Sequence, residues 1–175
     1  MKDRILVTYA SKHGATKEIA EEIADVFIEN YIPVDVLPIN EVDNLVDYSA
    51  VIIGSAVYIG QWRKEAVQFL KRNSVALAAR PTWLFSTGPT GEGDPVELLD
   101  GWRYPKAIKP MIERIEPRDI TVFHGVLDVD DLNFLERYMV KNINAAIGDY
   151  RDWDAIDAWA ESIITELDIK PHKEF

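Results

Sequence analysis

A glycine between two hydroxyl residues follows the first predicted strand. Residues 11–16 read Ser-Lys-His-Gly-Ala-Thr, and a helical pattern begins immediately afterwards. A glycine permits a tight turn with exposed backbone amides, and the start of a helix adds further amides and a partial positive charge. With hydroxyls from Ser11 and Thr16, this spacing predicts an anion site suited to phosphate, although it matches neither GxxxxGK(S/T) nor GxGxxG. The alternative is a hydroxyl cap on the helix that binds no ligand.

Apolar and aromatic residues follow the third predicted strand, where a polar loop would be ordinary. Residues 54–62 read Gly-Ser-Ala-Val-Tyr-Ile-Gly-Gln-Trp. A flat apolar ligand lying against this loop explains the composition, and Tyr58 and Trp62 are candidates to stack on it. The alternative is that both aromatic side chains fold back onto the edge of the sheet.

The loop after the fourth predicted strand is long and rich in glycine and proline. Residues 87–103 have the composition of a functional or mobile loop, and Thr87 and Thr90 offer hydroxyls beside accessible backbone groups. Trp102 and Tyr104 lie further along and are candidates to cover a ligand. Together the three loops predict a phosphate cradle, a planar apolar slot and a polar wall, a combination that suggests flavin mononucleotide (FMN).

Alternating strand and helix patterns position these loops. Short apolar runs predict strands at residues 4–9, 34–37, 50–54, 82–86 and 120–126. A period of 3.6 residues predicts helices at residues 16–30, 64–79, 106–115, 132–147 and 153–167. The order predicts an α/β fold with a parallel sheet, helices on both faces, and one helix missing between the second and third strands. Ligands bind beyond the carboxyl ends of such strands, where the three loops lie. We expect a single domain over residues 1–175, with a frayed tail at 168–175.

Composition narrows the chemistry further. The chain has 175 residues, no cysteine, and 30 acidic against 19 basic residues, for a net charge of −11. Without thiols it builds no disulfide, thiolate metal site or thiol nucleophile, and we expect neither a metal nor a catalytic side chain. The negative charge argues against nucleic acid and suits either a solvated surface or a basic partner. Neither a signal peptide nor a membrane-length apolar stretch is apparent, which predicts a cytoplasmic protein.

Three motifs carry a resemblance to a known family. Residues 11–16 are similar to the phosphate loop of the flavodoxin family, with His13 in place of a hydroxyl residue. The chain more closely resembles the flavodoxin-domain subgroup that includes the menaquinone-dependent protoporphyrinogen oxidases. That similarity rests on residues 54–60 and on residues 148–156, Gly-Asp-Tyr-Arg-Asp-Trp-Asp-Ala-Ile. The resemblance covers nearly the whole chain and implies a flavodoxin-like, five-stranded, doubly wound sheet of order 2-1-3-4-5 with bound FMN.

The resemblance also implies which residues hold the flavin. Residues 11–16 would bind its phosphate, residues 55–60 would line the isoalloxazine ring, and residues 87–90 would contact its other side or the ribityl chain. Lys12 adds a cation that many flavodoxins lack, and a protonated His13 would add another unless its ring only faces solvent. The complete implied set is Ser11, Lys12, His13, Gly14, Ala15, Thr16, Ser55, Ala56, Val57, Tyr58, Ile59, Gly60, Thr87, Gly88, Pro89 and Thr90.

Two functions fit the resemblance. The first is an FMN-binding redox protein that exchanges electrons with a partner protein or a quinone. The alternative is a protoporphyrinogen IX oxidase that passes electrons through FMN to a quinone. A flavodoxin-like scaffold that has lost its cofactor also stays open. A receiver-type signalling domain is excluded, because the third strand ends in Gly54-Ser55 and lacks the aspartate that such a domain needs there.

The segment at residues 132–147 separates the two redox functions. In the oxidases the matching region is an insertion linked to quinone or membrane contact. Apolar residues share one helical face here, namely Leu132, Leu135, Met139 and Ile143. Because the surrounding charges are of both signs, anionic lipid gains little from this helix. We therefore expect it to pack on the core of the domain, with membrane contact through it as the alternative.

Overall fold

The computed structural model describes residues 4–143 and 145–169. Its strands are β1 (Ile5–Ala10), β2 (Val34–Pro38), β3 (Ala50–Tyr58), β4 (Gln61–Trp62), β5 (Thr82–Thr87), β6 (Asp119–Phe123), β7 (Val126–Leu127) and β8 (Gly148–Asp149). Its helices are α1 (Ala15–Glu29), α2 (Lys64–Ala78), α3 (Pro95–Leu98), α4 (Lys109–Ile115), α5 (Phe134–Ile143) and α6 (Trp153–Leu167). Residues 170–175 of the predicted frayed tail lie outside the described residues.

The long strands form a parallel sheet in the order β2-β1-β3-β5-β6. When these five long strands are numbered 1 to 5 along the chain, their order is 2-1-3-4-5, which confirms the prediction. β1 pairs with β2 on one side and with β3 on the other, so the chain reverses its direction of travel across the sheet there. At such a switch point the loops after β1 and β3 diverge and leave a crevice.

Apolar residues cover both faces of the sheet, as the predicted layers require. On one face α1 and α6 contribute Ile23, Phe27 and Ile156, all fully buried. On the other, α2 and α4 contribute Phe69, Leu70 and the partly accessible Ile112. Each fully buried side chain of this size stabilises the fold by about 1.5–3 kcal/mol. The central strands therefore read as continuous apolar runs, because both of their faces are covered.

Three of the five predicted helices agree closely with the structure. α1, α2 and α6 begin and end within about a residue of their predicted bounds. The predicted helix at 106–115 begins as a 3-10 turn at Lys106–Ile108, and α4 covers only Lys109–Ile115. A 3-10 turn at Ile39–Glu41 replaces a helix between β2 and β3, as expected. The predicted helix at 132–147 was too long, since α5 covers only Phe134–Ile143 and a separate 3-10 turn precedes it at Val129–Asp131.

Two strand ends also differ from the prediction. β3 does not stop at Gly54 but continues to Tyr58, turns at Ile59 and Gly60, and pairs back as the antiparallel strand β4. Both turn residues have positive φ, 49° and 67°, as a two-residue hairpin turn of type I′ requires. The predicted fifth strand at 120–126 is divided, because the chain leaves the sheet after Phe123 and re-pairs as β7 with β8.

Candidate functional site

A cavity of about 350 Å³ opens at the carboxyl ends of β1, β3 and β5. The loop between β1 and α1, the β3–β4 hairpin and the loop after β5 form part of its wall, and β7 and α5 form the rest. Among the residues implied for flavin binding, the wall contains Ser11, Lys12, His13, Ala15, Thr16, Ala56, Val57, Tyr58, Ile59, Thr87, Gly88 and Thr90. The fold thus brings all three predicted loops to one cavity.

Four residues of the implied set lie outside the cavity wall. Ser55 is fully buried, and its hydroxyl accepts from the Arg63 amide at 3.0 Å and donates to the Ala56 carbonyl at 3.0 Å. Pro89 offers its carbonyl to the Gly125 amide at 3.0 Å. Gly14 and Gly60 shape their turns from behind the wall, with φ of 92° and 67°. Ser55 therefore supports the wall through its hydroxyl, and the other three residues do so through the backbone.

The aromatic residues expected to stack on or cover a ligand divide into two groups. Tyr58 lines the cavity, whereas Trp62 is only 4% exposed and lies in the core under α2. The Trp62 indole donates to the Ser86 hydroxyl at 2.9 Å. Trp102 and Tyr104 lie outside the described cavity wall. The alternative of folding back on the sheet therefore holds for Trp62, and Tyr58 is the aromatic ring available to a ligand.

The 11–16 loop takes its shape from Gly14. Its φ of 92° is left-handed, and a Cβ there would meet nothing within 4 Å, so the backbone conformation rather than space calls for glycine. The Gly14 amide donates to the Ser11 hydroxyl at 2.9 Å. α1 begins at Ala15 without a side-chain cap, which leaves the amides of its first turn without intrahelical partners. The alternative of a hydroxyl cap on α1 is therefore wrong, and amides without intrahelical partners at a helix start suit an anion.

Thr16 connects two walls of the cavity. Its side chain is almost fully buried, and its hydroxyl lies 2.6 Å from that of Thr87 at the end of β5. One hydroxyl donates to the other, so the pair joins the 11–16 loop to the loop after β5. Thr16 thus fixes the spacing of these loops as well as lining the site.

A buried acid faces the 11–16 loop from α5. Glu136 is 5% exposed, and its carboxylate lies 2.8 Å from the Lys12 ammonium and 3.8 Å from the His13 ring nitrogen Nε2. The Lys12 ammonium also lies 3.6 Å from the centre of the Tyr58 ring. The hydrogen bond from Lys12 outweighs burial and lowers the pKa of Glu136. Burial opposes the charge of Lys12, but Glu136 and Tyr58 outweigh it and raise the Lys12 pKa.

Sequence reasoning assigned no residue of β7 or α5 to the site, and Glu136 is the charged residue among those it missed. The predicted apolar face of this helix contained Leu135, but that side chain is 65% exposed. The face that lines the cavity is instead formed by Leu132, Glu136, Met139, Val140 and Ile143. A single acid inside an otherwise apolar helical stripe was the available signal. The expectation that this helix packs on the core was wrong, because it covers the cavity and turns Phe134 and Tyr138 outward, 88% and 62% exposed.

The late motif, residues 148–156, supports the cavity from behind. β8 pairs with β7, and the Tyr150 amide donates to the Gly125 carbonyl at 3.1 Å. A Cβ at Gly125 would lie 2.9 Å from Gly88, so this glycine allows β7 to approach the loop after β5. Asp152 caps α6 by accepting from the Ala155 amide at 3.1 Å. The motif therefore connects α5 to α6 and, through β8, holds β7 in place. We call the β7–β8 pair and the start of α6 the frame of the cavity.

Arg151 ties this frame to α1. Its guanidinium donates to Asp149 at 2.7 Å and to Glu18 in the first turn of α1, and it lies 4.7 Å from the Trp153 ring. The hydrogen bonds from Arg151 lower the pKa of Asp149, and those to Asp149 and Glu18 raise the pKa of Arg151. The side chain of Arg151 is 10% exposed, whereas those of Glu18 and Asp149 are 57% and 48% exposed, so the network joins a buried cation to two acids at the surface.

Neither a metal centre nor a membrane span is found within residues 4–143 and 145–169. No group of three or more acidic or histidine side chains in that part of the chain is placed to hold a metal ion. None of its helices is both long and apolar enough to cross a bilayer. The chemistry of the cavity rests on a positive loop, an apolar wall and one buried carboxylate.

The chain is similar to two curated proteins along most of its length. The chain is 22% identical over 171 residues to the protoporphyrinogen IX dehydrogenase (quinone) of Escherichia coli strain K12, covering 91% of this chain and 94% of that protein. The Leishmania major protein of the same name is 24% identical over 169 residues, covering 90% of this chain and 73% of that protein.

Solved structures show the same fold. A flavodoxin from the domain Archaea superposes with a TM-score of 0.62 at 14% identity, covering 95% of this chain and 99% of that one. Flavodoxin 2 from Bacillus cereus gives a TM-score of 0.60 at 19% identity, covering 93% and 99%. The flavodoxin-domain family model matches residues 6–154, most of the chain. The chain therefore belongs to the flavodoxin-domain family.

Proposed function

We propose that the chain binds FMN in this cavity and carries electrons through it. The observation that carries the proposal is the meeting of the 11–16 loop, the β3–β4 hairpin and the loop after β5 around one cavity of about 350 Å³. An anion-binding loop at the start of α1 suits the phosphate of FMN. The apolar wall from Ala56 to Ile59 suits a planar ring system.

The residues present fit a flavin nucleotide in charge and in shape. Residues 11–16 would hold the phosphate through backbone amides and the Ser11 hydroxyl, with Lys12 as the nearby cation. Residues 55–60 and 87–90 would hold the ring and the ribityl chain, with Ser55 supporting the wall through its hydroxyl and Gly60 and Pro89 through the backbone. This assignment keeps the full implied set, although only part of it reaches the cavity directly.

Bound flavin would supply the redox chemistry, and the chain would supply binding, orientation and electrostatics. α5 forms one wall of the cavity. The buried carboxylate of Glu136 and the net charge of −11 both oppose a further negative charge in the site. We therefore expect the flavin potential to be lower in this protein than in free solution, with a partner protein or a quinone as the electron acceptor or donor. The cytoplasm remains the predicted compartment.

The visible absorption spectrum of the purified protein tests FMN binding. We expect a yellow protein whose chromophore is released on denaturation and identified as FMN by its mass. Protein purified without flavin should regain the spectrum after incubation with FMN. A colourless protein that takes up no FMN contradicts the proposal.

Oxidation of protoporphyrinogen IX with a quinone as acceptor is the second candidate function. Similarity to the two protoporphyrinogen IX dehydrogenases along 90% or more of this chain supports it. The exposed apolar residues of α5 beside the cavity also suit contact with a hydrophobic acceptor. The test mixes FMN-loaded protein with protoporphyrinogen IX and several quinones and follows porphyrin fluorescence. A rate equal to the protein-free background with every quinone favours the electron carrier.

A further inference from the structure

We propose that Glu136 is a specificity-determining residue that competes with the phosphate of a ligand for Lys12. This inference rests on the proposed flavin site. Its consequence is that Glu136 weakens the preference of the cavity for phosphorylated over unphosphorylated flavins. It also links phosphate binding to release of α5 from the 11–16 loop.

The geometry places one carboxylate against two side chains of the 11–16 loop. Oxygen Oε2 of Glu136 lies 2.8 Å from Lys12 Nζ and 3.8 Å from His13 Nε2. Both residues line the cavity. The ammonium of Lys12, which would neutralise a phosphate, is therefore already engaged by an acid of the protein itself.

Burial makes this competition strong. Glu136 is 5% exposed and lines the cavity, so water screens its charge weakly. If Lys12 turned to a phosphate, Glu136 would be left as an uncompensated buried charge close to another anion. The protein avoids this unpaired buried charge if the Glu136 carboxylate moves out to water. Because Glu136 sits on α5, such a movement displaces the helix.

The outer side of α5 permits that displacement. Phe134, Leu135 and Tyr138 are between 62% and 88% exposed, so among the described residues no other layer covers this face of the helix. The Lys12–Glu136 contact joins residues 124 positions apart and holds the helix against the loop. Loss of the contact would therefore loosen α5 without unpacking the sheet.

An isosteric variant tests the competition. We expect Glu136→Gln to increase the ratio of riboflavin Kd to FMN Kd by about tenfold, since it removes both the repulsion and the competitor for Lys12. Riboflavin lacks the phosphate, so its own Kd should change by less than about twofold. Asp131→Asn is the matched control, because it removes the same charge from an exposed position just before α5 and should leave the ratio unchanged.

Hydrogen exchange on the wild-type protein gives a second readout that needs no variant. We expect FMN to speed amide exchange in residues 134–143, and riboflavin to leave it unchanged. In Glu136→Gln, exchange in the same segment should already be fast without ligand. Two results would contradict the competition without contradicting flavin binding. One is a ratio of riboflavin Kd to FMN Kd in Glu136→Gln that equals the wild-type ratio, and the other is an equal loss of affinity for both flavins. Failure of both flavins to bind the wild-type protein overturns the proposed function and this inference together.

Discussion

The 11–16 loop and the wall made by α5 face each other across the cavity but are built in different ways. The loop is shaped by its neighbours in sequence, through the left-handed Gly14 and its hydrogen bond to Ser11. The opposite wall depends on contacts between distant residues, since 124 positions separate Lys12 from Glu136 and 133 separate Glu18 from Arg151. The first wall is thus a local motif, and the second exists only once the chain has folded.

Replacing Gly14 should have the largest effect, because it breaks the local wall. A valine at φ near 92° is strained, so we expect Gly14→Val to raise the Kd for FMN by about 100-fold, equivalent to about 3 kcal/mol. Gly101→Val is a close control, since Gly101 has a φ of 86° and open space around its Cβ position. Unlike the 11–16 loop around Gly14, residues 91–124 around Gly101 contribute no residue to the described cavity wall. Both variants should lose similar stability in urea denaturation. Equal losses of FMN affinity in the two variants would show that FMN binding does not depend on the conformation of the 11–16 loop.

Removing Lys12 should have the next largest effect, because it breaks the contact between the two walls. Lys12→Met leaves Glu136 buried without its cation, and we expect a loss of about 2 kcal/mol in the free energy of unfolding. That figure is below the value for fully buried pairs because Lys12 is 25% exposed. The control is Lys17→Met, whose partner Glu21 lies 3.9 Å away with both side chains about half exposed, and it should cost under about 0.5 kcal/mol.

The same pair gives a pH dependence with a definite sign. Lys12 lowers the pKa of Glu136 in the folded protein from its ordinary value of 4.5. Stability from a lowered carboxylate pKa is present above the unfolded value and is lost as pH falls through the folded value. The difference in unfolding free energy between wild type and Lys12→Met should therefore be largest near neutral pH and shrink in acid. A difference that grows in acid would contradict the ion pair.

Replacing Arg151 should have a smaller effect on stability, limited to the wall that depends on contacts between distant residues. We expect Arg151→Met to lower the free energy of unfolding by about 1–1.5 kcal/mol and to speed hydrogen exchange in β7 and β8. Arg118→Met removes a comparable but exposed pair, with Glu166 at 3.7 Å and the Trp83 ring at 5.4 Å, and should cost about 0.5 kcal/mol or less. Identical urea midpoints for the two variants would mean that Arg151 does not anchor the frame.

Glu22 provides the smallest effect, away from both walls. A hydrogen bond with Asp157, together with burial and negative neighbours, raises the pKa of Glu22. A raised carboxyl pKa favours the fold below the unfolded value and loses that contribution as pH rises through the folded value. We expect Glu22→Gln to raise the free energy of unfolding by about 0.5 kcal/mol at pH 7 and to lose this gain in acid. The FMN affinity should stay unchanged. Glu21→Gln, on the same helix beside Lys17, should show no such gain.

The same contrast explains what could be predicted from the sequence. The regular apolar period of residues 153–167 is a local signal and predicts α6, and the structure adds Asp152 as its cap. Alternating strands and helices predict a parallel sheet, whereas its order came from the resemblance to flavodoxins. Glu136 could not be found this way, because its burial depends on Lys12, and helical period alone favoured Leu135.

Likewise Tyr58 and Trp62 look alike in sequence. The turn at Ile59 and Gly60 pairs Tyr58 with Gln61 and Trp62 with Val57, and this register gives the two rings different surroundings.

Titration of FMN into flavin-free protein, followed by quenching of flavin fluorescence, tests the central claim most directly. We predict saturable binding of about one FMN per chain, with FMN bound in preference to riboflavin because the 11–16 loop holds the phosphate. Absence of quenching and of saturation would contradict the flavin site. Equal affinity for FMN and riboflavin in the wild-type protein and in Glu136→Gln would show that the loop does not bind the phosphate.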